Sequence, residues 1–248
     1  MGRFTTMRRR ALATLSAALL GATAIALGAC DGSRLRPIGL LTTPDGAHIA
    51  YADRGDLSAA DFELASGVTT LVVRSGDLGR SLYAVATPGG AGVLPAAVIR
   101  DGHVVTQLVS SGISGPSVVD VTLNDAVAWT IHLDGGATEA TVDMRAGGLV
   151  ALDFGAGVSR IDVTVPAAAG TLPVRMSGGA SEFAIHAPAG EPARVALTGG
   201  AGSATIDGDV HTGIAGGTIF TPTGWDDAVR RIDVDNTAGV ASFVLDRY

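Results

Sequence analysis

Short apolar pairs recur along this chain at a nearly fixed interval, and that interval limits the fold more than any other feature. Val119 and Val121, Ala140 and Val142, Ile161 and Val163, Phe183 and Ile185, and Ala204 and Ile206 begin 21, 21, 22 and 21 residues apart. Within each pair the apolar residues are two apart, as one face of a β-strand requires. A near-constant period of this size marks a solenoid, in which each repeat buries its apolar face against its neighbours. Second strands fall between the first: Trp129, Ile131 and Leu133; Val150 and Leu152; Val174 and Met176; Val195 and Leu197. The expectation is an all-β chain, a β-helix-like stack of two-stranded coils with about 21 residues per coil.

The punctuation agrees. Gly135-Gly136-Ala137, Gly178-Gly179-Ala180 and Gly199-Gly200-Ala201 recur just before the first strand of a coil. Glycine takes positive φ at no steric cost and so suits corners. Pro166, Pro173, Pro188 and Pro192 are expected at strand edges and turns, where a missing donor is harmless. Aromatic residues are only 4% of the chain, so the core must be built from small and β-branched side chains, which suits narrow layers. Less regular strands are expected at Thr70 to Arg74, Leu82 to Ala86, Ala97 to Arg100 and Val104 to Val109, with first strands near His48 to Tyr51 and Phe62 to Leu64. Arg230 to Asp235 and Val240 to Asp246 read as closing strands, and Trp225 as a plug for the open end.

The first residues read as an export leader. Arg3, Arg8, Arg9 and Arg10 precede an uncharged apolar run from Ala11 to Leu27, 17 residues long, short of the roughly 20 that span a bilayer. Leu27-Gly28-Ala29-Cys30 follows, and Cys30 is the only cysteine. A lone thiol in an exported chain has no partner for a disulfide and needs another explanation. The tetrapeptide resembles the bacterial lipobox, which implies that Cys30 receives a diacylglyceryl group and becomes the new N-terminus. Arg8-Arg9 also allows a twin-arginine route, although the apolar run follows Arg10 at once. The expected organisation is a lipoprotein signal peptide over 1–29, a tether and first strands over 30–63, and a β-solenoid over 64–248. The expected location is extracytoplasmic, lipid-anchored to the cell membrane.

Charge narrows the chemistry. All 17 basic residues are Arg; the 13 after the leader face 24 acids, which leaves −11. Such a chain is poorly suited to nucleic acid or to anionic lipid surfaces. Without Lys there is no Schiff base and no P-loop lysine.

The segments GGATEATVDMR, GAGVSRIDVTV, GGASEFAIHAP, GGAGSATIDG and AGVASFVLD resemble the toast-rack domains of bacterial envelope proteins. These include the adhesin type and the type that responds to cell-wall-active antibiotics. The resemblance covers roughly residues 64–246 and implies a fold and an envelope setting. It carries over no catalytic residue.

A search for chemistry returns little. Gly112-Ile113-Ser114-Gly115-Pro116 lacks the final Gly of a nucleophile elbow. His48, His103, His132, His186 and His211 lack zinc spacing, and Asp233-Val234-Asp235-Asn236 lacks the Gly and distal Glu of a calcium loop. No catalytic, cofactor-binding or metal residue is assigned; Cys30 is the one site. If the coils stack in register, Asp143, Thr164, His186 and Asp207 form one outward column, and Asp120, Thr141, Asp162 and Thr205 another. Arg145 and Arg160 read as surface charges. An ordinary solvated face accounts for these columns, although paired carboxylates on such a face can do glycoside chemistry.

The expected function is a membrane-anchored lipoprotein whose β-solenoid binds, scaffolds or senses envelope stress without catalysis. Its candidate partners are the membrane itself, an envelope protein or a cell-wall glycan. The alternatives are a polysaccharide-active β-helix enzyme, either lyase or glycosidase, and a subunit of a transporter or stress-sensing complex.

Overall fold

The structure is a computed structural model that describes residues 38–248. The segment expected to be a signal peptide, the expected lipidation site Cys30 and the first part of the expected tether lie outside them. The described residues hold twenty strands and no helix. In chain order these are β1 Gly39–Thr42, β2 His48–Asp53, β3 Ala59–Leu64, β4 Val68–Gly76, β5 Ser81–Thr87, β6 Val93–Arg100, β7 His103–Ser110, β8 Val118–Asn124, β9 Ala128–Leu133 and β10 Ala137–Asp143. Then follow β11 Gly148–Phe154, β12 Val158–Thr164, β13 Thr171–Met176, β14 Ala180–Ala187, β15 Ala193–Leu197, β16 Ala201–Ile206, β17 Asp209–Ile214, β18 Thr218–Phe220, β19 Arg231–Asn236 and β20 Val240–Arg247.

The strands form two sheets. One has eleven strands in the order β1-β2-β5-β8-β4-β10-β12-β14-β20-β16-β17. The other has nine, β18-β15-β19-β13-β11-β9-β3-β7-β6. Six coils share one plan: a strand in the nine-stranded sheet, a three-residue corner, then a strand in the eleven-stranded sheet. Stacked coils pair in parallel and in register, so each inward residue lies on its counterpart one layer away. One such column is Leu71, Ala140, Ile161, Phe183, Phe243 and Ala204; facing it is Phe62, Ile131, Leu152, Val174, Val234 and Val195. All twelve are buried. A slip of one residue would turn a whole strand's apolar set to solvent, so the register is strongly specified. Phe154, Phe183 and Phe243 meet edge to face, with centroids 6.0 and 5.5 Å apart.

The corners carry the ladder across from sheet to sheet. Val68 N–H donates to Gly136 O, Ala137 to Gly157 O, Val158 to Gly179 O, Ala180 to Gly239 O and Val240 to Gly200 O, at 2.8 to 3.3 Å. Neighbouring backbones approach so closely here that a Cβ on Gly178 would lie 1.9 Å from the carbonyl carbon of Ala156. The recurring GGA segments are therefore a steric requirement of the stacking distance.

The layers do not follow sequence order. The β3–β4 coil lies between the β7–β8 and β9–β10 coils, and the β19–β20 coil lies between β13–β14 and β15–β16. Thus Val119 and Ala140 are separated by Leu71, and Phe183 and Ala204 by Phe243. The segments expected to close the stack are threaded into it. Trp225 does not plug an end: it lies on the flank, its Nε1–H donating 3.0 Å to Ile232 O, between the guanidinium groups of Arg194 and Arg231 at 4.2 and 4.3 Å from its ring centroid.

Antiparallel strands cover both ends. Asp101-Gly102 and Asp207-Gly208, all four at positive φ, make two-residue hairpins that fold β6 onto β7 and β17 onto β16. β5, β2 and β1 extend the eleven-stranded sheet beyond β8, and β18 ends the other beyond β15.

Two second-strand readings need correction. Val150 is exposed and Leu149 is buried, because a bulge falls between Leu149 and Ala151 where β11 meets β9. Pro173 sits inside β13, a central strand. Its missing donor is accommodated because β11 pairs with β13 only from Val174 onward.

One inward column carries two buried polar side chains, Thr106 beside Leu64 at the β7 end and Asn236 further along. Asn236 is fully buried in the column Leu64, Leu133, Phe154, Met176, Asn236 and Leu197, and neither polar atom of its amide has a partner within the protein. An unsatisfied buried amide costs about 1–3 kcal/mol. Asn236→Leu is expected to raise stability by about 1–2 kcal/mol in urea unfolding. In the same assay Gly178→Ala should lose about 2–4 kcal/mol, since backbone must move. Gly170→Ala, where nothing lies within 4 Å of the added carbon, should be near neutral.

Candidate functional site

Period-two alternation places polar side chains on the outer faces, and register lines them into rows. On the eleven-stranded sheet one row runs Arg74, Asp143, Thr164, His186 and Asp246. The structure thus brings Asp143, Thr164 and His186 together as expected but parts Asp207 from His186 by Asp246. In the other expected column only Thr141 and Asp162 are adjacent; Val72 separates Asp120 from Thr141, and Ala184 and Val244 separate Asp162 from Thr205. The threaded coils β3–β4 and β19–β20 supply Val72, Val244 and Asp246, whereas Ala184 belongs to β14, which follows β12 in sequence as well as in space.

The rows are held by ion pairs. Arg160 bridges Glu139 at 3.1 Å and Glu182 at 2.8 Å, linking three consecutive layers. Arg74 reaches Asp120 at 3.3 Å, and Arg145 clasps Asp143 from two residues away. His186 lies between Asp162, at 3.4 Å, and Asp246. On the nine-stranded sheet His103 meets Glu63 at 3.1 Å and Asp61 at 3.7 Å, His132 meets Asp153 at 3.4 Å, and Arg194 binds Asp233 through two nitrogens at 2.9 and 2.7 Å. Among the described residues no group of three or more His, Cys, Asp or Glu is placed to hold a metal ion.

These contacts decide what the carboxylates can do. The guanidinium of Arg145 holds the Asp143 carboxyl below the usual range, and that of Arg160 does the same for Glu182. Both shifts favour the ionised form. A general acid for glycoside cleavage needs the opposite, a carboxyl held protonated near neutral pH.

One concavity gathers residues distant in sequence. An open cleft of about 730 Å³ lies where the 188–192 loop, the 221–230 connector and the end of β20 meet. Glu191, Asp207, Asp246 and Arg247 line it, with Pro192 and Pro222. Arg247 donates to Asp207 at 2.6 and 2.9 Å and to Glu191 O at 2.7 Å. Glu191 is 7% exposed; its carboxylate accepts from Ala168 N–H at 2.9 Å and faces Arg230 at 3.5 Å. Each of these charges already has a partner. Sequence reasoning missed Glu191 and Arg247, because threading brings them together and neither belongs to a motif. The Asp-Gly dipeptides at 101 and 207 were the readable sign that the end coils turn back.

No protein-family model matches this chain, and no curated protein matches it in sequence. Solved structures do. One, described as a "putative cell adhesion protein" from Clostridium sporogenes ATCC 15579, aligns over 82% of this chain and 99% of its own with 14% identity and a TM-score of 0.60. At that identity the likeness shows the fold alone, and it agrees with the adhesin-type resemblance read from the repeats. A second, described as a "putative adhesin" from Bacteroides fragilis NCTC 9343, aligns over 79% of this chain and 96% of its own at 9% identity, with a TM-score of 0.22.

The ion-pair row gives a pH prediction. The folded-state pKa of Glu182 is depressed, so its contribution to stability is present above the unfolded value, about 4.3, and is lost as pH falls through the folded value. Arg160→Ala is expected to lower the melting temperature slightly at pH 7, with the two proteins converging as pH falls through the folded-state value of Glu182. The difference should shrink in high salt because the pair is exposed. Carboxyl NMR titration of Glu182 in the variant should return an ordinary pKa.

Proposed function

We propose that this chain is a lipoprotein of the bacterial envelope whose toast-rack-type β-solenoid binds or scaffolds at the cell surface without catalysis. The observation that carries this reading is the pair of in-register outer faces, whose carboxylates are matched across layers by Arg160, Arg74 and Arg194. Such faces are rigid and extended, as binding surfaces of repeat proteins are. The depressed carboxyls of Asp143 and Glu182 make these two residues poor general acids. The fold shared with the Clostridium protein described as a cell adhesion protein supports the surface setting.

The anchor gives the stack an orientation. β1 is the outermost strand at one end of the eleven-stranded sheet, and the chain before it leads to Cys30. With Cys30 acylated, that end faces the membrane. Eleven strands at about 4.8 Å place β17 roughly 50 Å beyond β1 along the stack. Exposed apolar side chains occur at both ends, Leu40, Val98 and Ile113 at one and Val210 and Ile219 at the other; the end away from the anchor is the part most open to an envelope protein or a cell-wall glycan.

Two acyl chains hold a protein on a membrane stably where one does not. Cys30→Ala is therefore expected to move the protein from the membrane pellet to the soluble fraction with its fold unchanged by circular dichroism. Retention in the pellet would refute the anchor. Crosslinking on intact cells tests the binding role: recovery of a specific partner is expected, and glycan turnover without a partner would favour the enzyme.

A further inference from the structure

The outer face of the nine-stranded sheet changes character at one end. Register lines Glu63, His132, Asp153, Arg175 and Asp235 into one row of titratable side chains across five strands. The same row continues onto β7 as Val105 and onto β6 as Val98. The neighbouring outward positions of this hairpin are Leu94 and Ala96 on β6 and Val109 on β7, and Leu94 lies directly across from Val109. Away from the turn, where Arg100 and His103 lie, Gln107 is the polar exception. Beyond Val109 the uncharged 111–117 loop adds Ile113 and is pinned to the start of β6: Ser111 N–H donates to Gly92 O at 3.0 Å, and Gly92 N–H to Pro116 O at 3.2 Å. Val98 is 56% exposed, Val109 48% and Ile113 58%. Single exposed apolar side chains are ordinary, but six together on one hairpin and its loop, on a face charged elsewhere, make a contact surface.

The position of Cys30 says what lies beside this surface. β6 ends the nine-stranded sheet at the end where β1 ends the eleven-stranded one. Seven residues, 31–37, separate Cys30 from Ile38, which precedes β1. Eight steps of chain reach at most roughly 28 Å in any conformation. Facing sheets lie about 10 Å apart, so the hairpin is nearly as close to Cys30 as β1 is. With Cys30 acylated, a bilayer is therefore held beside this end of the stack at all times. The excess of acids after the leader makes an electrostatic lipid contact unfavourable, which leaves an apolar one. Its depth is limited. The outer backbone edge of β6 is unpaired, and open sheet edges do not enter hydrocarbon. At the headgroup and acyl boundary, water and headgroups reach those N–H and C=O groups while the apolar face is covered.

We infer that the outer face of the β6–β7 hairpin, together with Ile113, rests on the lipid surface at the headgroup boundary and sets the tilt of the stack. The inference rests on the acylation of Cys30: the acyl chains hold the protein, and the hairpin decides how it stands. One tether point leaves the tilt of a rigid stack unspecified, and a second contact beside it fixes that tilt. Because the patch lies on the nine-stranded sheet, that sheet leans toward the membrane. The eleven-stranded sheet, with Glu139, Arg160 and Glu182 on its outer face, is turned away from the lipid.

The test uses the full chain, processed in bacterial cells and reconstituted into phosphatidylcholine vesicles without anionic lipid. Acylation occupies the thiol of Cys30, the only cysteine, so Val98→Cys, Ile113→Cys, Val150→Cys and Val210→Cys each supply one free thiol for an environment-sensitive fluorophore. All four positions are more than half exposed, so the label does not disturb the core. Val150 lies further along the same sheet, on β11, and Val210 at the far end, on β17. Brominated lipid is expected to quench the labels at 98 and 113 several-fold more than those at 150 and 210, equally at low and high salt. Quenching at 98 and 113 no greater than at 150 and 210, in protein that floats with the vesicles, would overturn the inference and leave the anchor standing. Failure of the unsubstituted protein to float with the vesicles would remove the anchor, and the inference with it.

Discussion

Layers in this molecule sit one strand spacing apart, about 4.8 Å, and the corners must turn the chain inside that distance. Everything else follows from meeting this constraint repeatedly. A side chain at Gly135, Gly178 or Gly199 would meet the backbone of the neighbouring corner at about 2 Å, between 1.9 and 2.2 Å. With the corners cleared, the hydrogen-bond ladder passes from one sheet to the other without a break, and register is inherited from layer to layer. Register in turn stacks like on like. Apolar columns fill the interior, and polar rows outside bring Glu139, Arg160 and Glu182 within reach of one another.

The repeat was legible because it is local. Apolar residues two apart, recurring every 21 or 22 positions with glycine before them, describe a coil without reference to the rest of the chain. The order of the coils was not legible. Val119 and Ala140 have the spacing of stacked neighbours, and so do Phe183 and Ala204, yet each pair has another coil between its members. The same register satisfies both orders, so periodicity cannot distinguish them. Trp225 was misplaced for the same reason: its setting between Arg194 and Arg231 exists only once β19 lies beside β15.

The candidate site shows this division again. Asp143, Thr164 and His186 were readable as neighbours, because their coils follow one another in both sequence and space. Asp246, which completes that row, comes from the threaded coil. Glu191 and Arg247 meet at the cleft only because the chain crosses itself there. Val150 was misread through a bulge that shifts the alternation by one residue, a change that the composition GLVALDF does not announce.

The threaded order has a physical rationale in how bulk is distributed among the last coils. β19 and β20 point Ile232, Val234, Phe243 and Leu245 inward, all fully buried, whereas β16 offers Ala204 and the half-buried Ile206. The β15–β16 coil is backed on its outer side by β17 and the three-residue β18 rather than by another full coil. In sequence order Phe243 would lie in a layer with no full coil beyond it and with Ala204, not Phe183, as its neighbour. Threading places Phe243 against Phe183, and it moves Ala204, with the largely exposed β17 hairpin, to the outside. The hairpin strand that then forms the edge carries Asp209 and His211, and β18 on the other sheet has only three residues. Short or charged edges discourage unplanned pairing with other chains. The order that buries the aromatic column therefore also leaves a charge-bearing edge strand and a very short one at the end of the stack.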